Sequence, residues 1–121
     1  MHGHTQTVIS EVKEPNEFDN VYVERLFGDS LSTSFEIWVK DSVPTHRHNY
    51  HSEVVYVKKG WAKMKLNNEE VEIKEGDKIF IPKNTWHSVE VKSEVPLRVL
   101  SVQSPGYFGD DREFKYKSPT K

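Results

Sequence analysis

The chain has 121 residues, enough for one domain with a real hydrophobic core. Its 17 basic and 19 acidic residues are well mixed and leave a formal charge of −2, so no strong field gathers a polyanion, which argues against a nucleic-acid partner. Cysteine is absent, which excludes disulfide scaffolds, thiolate metal sites and thiol nucleophiles together, so any metal must be held by nitrogen and oxygen.

The apolar share is low at 35%, but three Trp, five Tyr and six Phe suit a compact β domain and argue against disorder. No apolar run approaches the length of a membrane span, so a membrane partner is not expected. "MHGHTQTVISEVKEP" has no basic start followed by an apolar core, which makes the cytoplasm the default location. His2 and His4 flank a glycine at the extreme terminus and read as a tag remnant or a frayed end, not as ligands. Residues 1–17 are expected to form a partly flexible arm, 18–114 a single β domain and 115–121 a flexible tail.

Along the chain, no stretch of a dozen residues shows the three-four apolar spacing of an amphipathic helix. Alternation dominates. "VYVERLF" (21–27) and "SFEIWVK" (34–40) read as strands, the second with Phe35, Ile37 and Val39 on one face. "WAKMKLN" (61–67) turns Ala62, Met64 and Leu66 inward and Lys63 and Lys65 outward, and "EVEIK" (70–74) does the same with Val71 and Ile73. "KIFIP" (78–82) reads as a more buried run, followed by "WHSVEVK" (86–92) and "PLRVLSVQS" (96–104). Turn signals separate them at Gly28-Asp29-Ser30, Asn67-Asn68, Glu75-Gly76-Asp77 and Lys83-Asn84-Thr85. Asn67-Asn68 suits a two-residue hairpin because Asn tolerates positive φ. Short strands at this spacing predict an antiparallel sandwich or barrel. "SPGYFGDDREF" reads as a loop closing one end of the barrel or an interface.

The segment "HRHNYHSEVVYVKKG" (46–60) concentrates polar chemistry at the start of a strand. His46 and His48 are two apart and share a face on a strand. Glu53 opens the next strand on the face of Val55 and Val57, where a carboxylate is unfavourable unless paired or bound. In "WHSVEVK", His87 shares the inward face with Val89 and Val91. Each residue alone has a bland explanation. His-x-His is common on surface strands, an inward His is often a hydrogen-bonded core residue, and Glu53 could pair with Arg98. Jointly, three imidazoles and a carboxylate at fitting parity suit Fe(II), Mn, Ni, Zn or Cu(II), and an octahedral ion on four ligands keeps two positions open.

This segment resembles the first cupin motif, G-x5-H-x-H-x(3,4)-E-x6-G, through His46, His48, Glu53 and Gly60, although Lys40 stands at the leading glycine. "GDKIFIPKNTWHSVEV" is similar to the second motif, G-x5-P-x-G-x2-H-x3-N, through Gly76, Pro82 and His87. Asn84 replaces a motif glycine, which a left-handed Asn tolerates, and Val91 replaces the closing Asn. Fifteen residues separate Gly60 from Gly76, as in small microbial cupins.

The resemblance implies a double-stranded β-helix, a jelly-roll barrel of six or eight strands with one open mouth. It implies His46, His48, Glu53 and His87 as ligands of one divalent transition metal. It places His51 as a mouth-lining acid/base group or an exposed turn residue, with Glu36 as another candidate base. The expected function is a metal-dependent enzyme acting on a small oxygen-rich molecule, of dioxygenase, isomerase or decarboxylase type. The alternatives are a non-catalytic cupin binding a sugar or small organic acid, and a metal-independent sugar isomerase using His and Tyr. Trp38, Tyr56 and Trp86 are candidate substrate platforms, although packing is the simpler role for each. Small cupins are commonly homodimers, and "VYVERLF" is a strand suited to a partner's sheet.

Overall fold

A computed structural model describes residues 11–106 and 111–115. His2, His4 and the tail beyond Lys115 lie outside the described residues, as does 107–110 of the expected closing loop. Among the described residues there are ten strands and no helix, and thus none long and apolar enough to cross a membrane. They are β1 (Val21–Gly28), β2 (Thr33–Val39), β3 (Ser42–His48), β4 (Ser52–Lys59), β5 (Trp61–Leu66), β6 (Glu69–Lys74), β7 (Lys78–Ile81), β8 (His87–Val91), β9 (Leu97–Ser104) and β10 (Arg112–Phe114).

The strands form two five-stranded antiparallel sheets, ordered β1-β2-β9-β4-β7 and β10-β3-β8-β5-β6. This is an all-β jelly roll, larger than a six- or eight-stranded barrel because β1 and β10 extend one edge of each sheet. Alternation packs Val39, Val55, Val57, Ala62, Met64, Ile73, Ile81, Leu97 and Val99 into one core between the sheets. Lys63 and Lys65 face solvent on the same strand as Ala62 and Met64, as the pattern predicts.

The run 78–82 is less buried than its composition suggests. Ile81 is buried, but Phe80 is 59% exposed because β7 is an edge strand whose outer face no described residue covers. The stretch 112–114, expected as loop, is instead a short strand on β3, pairing Arg112 with His48 and Phe114 with His46. Positive φ appears where the turn chemistry allows it, at Asn67 (54°), Asn84 (65°), Gly60 (84°) and Gly76 (95°).

One irregularity positions the site. The register of β3 on β8 shifts between Val43, which faces Val89, and His46, which faces His87. A three-residue separation on a regular strand would put Val43 and His46 on opposite faces. The bulge at Pro44-Thr45 lets both line the interior.

Candidate metal centre

The interior between the sheets holds a cavity of about 370 Å³. Its walls are mostly aliphatic, and its polar lining is His46, His48, His51, Glu53, His87, Gln103, Asp111 and Arg112. Sheet β10-β3-β8-β5-β6 supplies His46, His48 and His87, and the facing sheet supplies Glu53. All four side chains are buried, with 4–7% of each residue exposed.

The donors converge. One ring nitrogen from each of His46, His48 and His87 lies within 4.8 Å of the others. Glu53 Oε1 is 3.6 Å from His48 Nε2 and 3.8 Å from His87 Nε2. Two ligands each about 2.1 Å from one ion lie roughly 3.0–3.5 Å apart, so this spacing suits a cation after small adjustment.

The other ring nitrogens are already committed. His46 Nδ1 is 2.8 Å from the Pro44 carbonyl oxygen, and His87 Nδ1 is 2.9 Å from that of Thr85. A carbonyl only accepts, so each Nδ1 carries the proton and each Nε2 keeps its lone pair. His48 Nδ1 lies 2.9 Å from Asp111 Oδ1. The Ser101 hydroxyl donates to Glu53 Oε2 at 2.5 Å, and Gln103 Nε2 donates to Ser101 Oγ at 3.4 Å. Three imidazoles that each turn one nitrogen to a common point beside a hydrogen-bonded carboxylate fit a nitrogen-and-oxygen metal site.

Electrostatics agree with neutral rings at His46 and His87. Burial, with the neighbouring His87 ring, lowers His46 to about 4 despite the Pro44 hydrogen bond. Burial likewise lowers His87 to about 4, against the Thr85 carbonyl and with the help of His48. Burial alone would raise the Asp111 carboxyl, but the His48 ring, the Tyr50 amide and His51 together pull it below its ordinary value.

His51 is buried at 3% exposure and lines the cavity, with Nδ1 3.2 Å from Asp111 Oδ2. It is not an exposed turn residue. Together His48, His51 and Asp111 form a second cluster of metal-ligating residue types beside the first.

Other candidates fall away from the cavity. Glu36 is 1% exposed but lies on the opposite face of β2 from Phe35 and Ile37, held by Arg98 Nε at 2.5 Å and Lys58 Nζ at 2.9 Å. A base there has no access to the cavity, and Arg98 is the partner of Glu36, not of Glu53. Trp38 packs on the outer face against Tyr22 and Arg98, Trp86 lies under Arg47, and Tyr56 lies near Lys78. None of these three lines the cavity, so none is a substrate platform there.

Several groups that line the cavity or hold its ligands escaped the sequence reading. Ser101 and Gln103 continue the inward parity of Leu97 and Val99 along β9, and alternation could have found them. Asp111 carried no such signal, since it precedes a three-residue strand in a segment that reads as loop.

The model of the Cupin domain family matches residues 33–103. An uncharacterized protein of Methanocaldococcus jannaschii is 33% identical over 107 residues, 88% of this chain and 80% of that protein. Quercetin 2,3-dioxygenase of Bacillus subtilis is 32% identical over 68 residues, 56% of this chain. The matched stretch is 20% of that enzyme's length. Among solved structures, an uncharacterized conserved protein with a double-stranded beta-helix domain from Klebsiella pneumoniae superposes with a TM-score of 0.73 at 18% identity. The superposition covers 88% of this chain and 91% of that one, and the likeness is one of fold.

Proposed function

The chain belongs to the cupin family, and from that premise we propose that it holds one divalent transition metal on His46, His48, Glu53 and His87. We propose further that it uses the metal as an enzyme on a small molecule. The reaction is of dioxygenase, isomerase or decarboxylase type. The observation that carries this reading is the buried convergence of Glu53 Oε1 with imidazoles whose Nδ1 atoms are already spent on other partners. Such an ion supplies Lewis-acid stabilisation of a developing oxyanion or, if redox-active, activation of dioxygen.

The chain's own residues supply the rest. The aliphatic walls exclude water and favour a substrate with an apolar body and a few chelating oxygens over a sugar coated in hydroxyls. His51, its Nδ1 3.2 Å from Asp111 Oδ2, lines the cavity and is the imidazole placed to take up or return a proton. Gln103 lies at the cavity wall, suited to orienting a polar substrate group.

Elemental analysis of protein purified without a chelating column tests the reading, combined with dioxygen uptake and product detection on a panel of diols, diketones and keto acids. One transition metal per chain with turnover is expected. No metal, with stability indifferent to chelator, would overturn it.

Arg112 favours a second reading. It lines the cavity and shares the inward register of His48, a position suited to pairing with the carboxylate of a small organic acid held without turnover. Full metal occupancy with tight acid binding and no product across the panel would select it. A metal-independent His/Tyr isomerase draws no support, since no tyrosine among the described residues lines the cavity. The reading includes a homodimer through β1, an edge strand on which Val21, Tyr22, Val23 and Phe27 are 37–49% exposed. Light scattering of the eluting protein decides it, and a monomer at micromolar concentration would exclude it.

A further inference from the structure

Asp111 lies 63 positions from His48 in sequence, and its side chain is 1% exposed. Its two oxygens take two hydrogen-bonding contacts, and a third nitrogen stands close by. Oδ1 is 2.9 Å from His48 Nδ1, and Oδ2 is 2.8 Å from the Tyr50 amide nitrogen and 3.2 Å from His51 Nδ1. The His48 and His51 rings lie 4.5 Å apart at 31°. Two explanations compete for this cluster. It is a second cation site sharing His48 with the first, or it is a hydrogen-bonded clamp on the turn that carries a ligand.

The protons on His48 decide between them. Its Nε2 faces Glu53 Oε1 at 3.6 Å and its Nδ1 faces Asp111 Oδ1. A neutral imidazole carries one proton, and a carboxylate only accepts. A cation on the Asp111 side would need the Nδ1 lone pair, while the first site needs that of Nε2. Serving both would demand a fully deprotonated ring. With the proton on Nδ1, Asp111 accepts from His48, Nε2 keeps its lone pair on the Glu53 side, and the Tyr50 amide donates to the second oxygen of the buried carboxylate.

We propose that Asp111 is a positioning residue, which fixes the tautomer and ring direction of His48 and anchors the 48–51 turn, and that the cluster is not a second metal site. The register explains how it arrives there. Arg112, the next residue, is the Cα partner of His48, so docking of β10 on β3 delivers the carboxylate to the ring. The consequence for affinity rests on the reading of His48 as a ligand, whereas the consequence for the tautomer does not.

The test has three parts. Long-range proton–nitrogen correlation NMR of metal-free protein reads the His48 tautomer. Nδ1–H is expected in the wild type, with a shift toward Nε2–H in Asp111→Ala. Chelator competition with zinc alone reads affinity. Asp111→Ala is expected to lose about 10–100-fold, and the isosteric Asp111→Asn, which keeps one acceptor, less than that. Glu113→Ala is the control, because it removes the Arg47 pair that also ties β10 to β3 while leaving Asp111 in place, and it should keep wild-type affinity. Wild-type Nε2–H on His48 would overturn the proposal. So would an equal loss in Glu113→Ala, or two zinc ions per chain falling to one in Asp111→Asn. The Nδ1–H signature in a protein that takes up no metal supports the positioning of His48 and defeats the metal reading instead.

Discussion

His46 and His87 stay neutral to about pH 4 in the fold, while an unfolded histidine protonates near 6.5. Between those limits the unfolded chain binds more protons than the native one, so native stability rises with pH across this window. The contribution is fully present above pH 6.5 and is lost as pH falls toward 4, at most on the order of 3 kcal/mol per ring. Urea unfolding of metal-free protein should therefore show a flat midpoint above pH 7 and a fall below 6.5. A double His46→Gln, His87→Gln variant should flatten that fall. At the same scale, His87→Ala should weaken zinc binding by more than the roughly 10–100-fold expected of losing a ligand's hydrogen-bond partner. Unchanged uptake in chelator competition would remove His87 from the site. Glu36 gives a contrast. Its removal strands Arg98 and Lys58, but their side chains are 27% and 44% exposed and can turn to water. Glu36→Ala should therefore cost less than the roughly 3–5 kcal/mol of breaking a fully buried pair. It should leave metal content unchanged, because Glu36 faces away from the cavity. Metal content by elemental analysis and a urea melt on one preparation check both statements.

At the scale of the strand and turn, two glycines with positive φ separate backbone strain from crowding. A Cβ at Gly60 would meet Ser93 Oγ at 2.9 Å and the Pro96 carbonyl oxygen at 3.0 Å, whereas at Gly76 nothing lies within 4 Å. Gly76→Ala should cost only the left-handed penalty of about 1–2 kcal/mol, and Gly60→Ala more. Equal melting temperatures for the two variants would contradict this. Asn84, at φ 65°, occupies the position of a motif glycine, so Asn84→Gly should be tolerated. Strand identity and facing were largely legible here. Alternation in 61–67 and 86–92 placed Ala62, Met64 and His87 inside, where they are found. The β3 bulge was not legible, because nothing in "SVPTHRH" announces an extra residue opposite β8. Nor was β10, since three residues are too few to show a period.

For the molecule as a whole, one cross-sheet core is shared between packing and site. Val57 and Ala62 belong to the core without lining the cavity, Val39, Ile73 and Leu97 serve both, and four donors from two sheets meet in the same interior. A ligand that binds only the native state adds RT ln(1 + [L]/Kd), about 2.7 kcal/mol at one hundred times Kd. Saturating zinc should thus raise the thermal midpoint, and excess chelator should reverse the rise. Scanning calorimetry with and without metal measures it, and an unmoved midpoint would speak against a built metal centre. Alternation along the chain determined an antiparallel sandwich or barrel with His46 and His48 on one face and Glu53 and His87 turned inward, and the two motifs carried the resemblance to the cupin family. Tertiary structure alone decided that Asp111 completes that neighbourhood, that Arg98 serves Glu36 on the outer face, and that the candidate aromatic platforms pack outside. The reason is physical. Side-chain direction along a strand is local and has a period of two, whereas contact between positions 48 and 111 depends on sheet order and register, which no local pattern encodes.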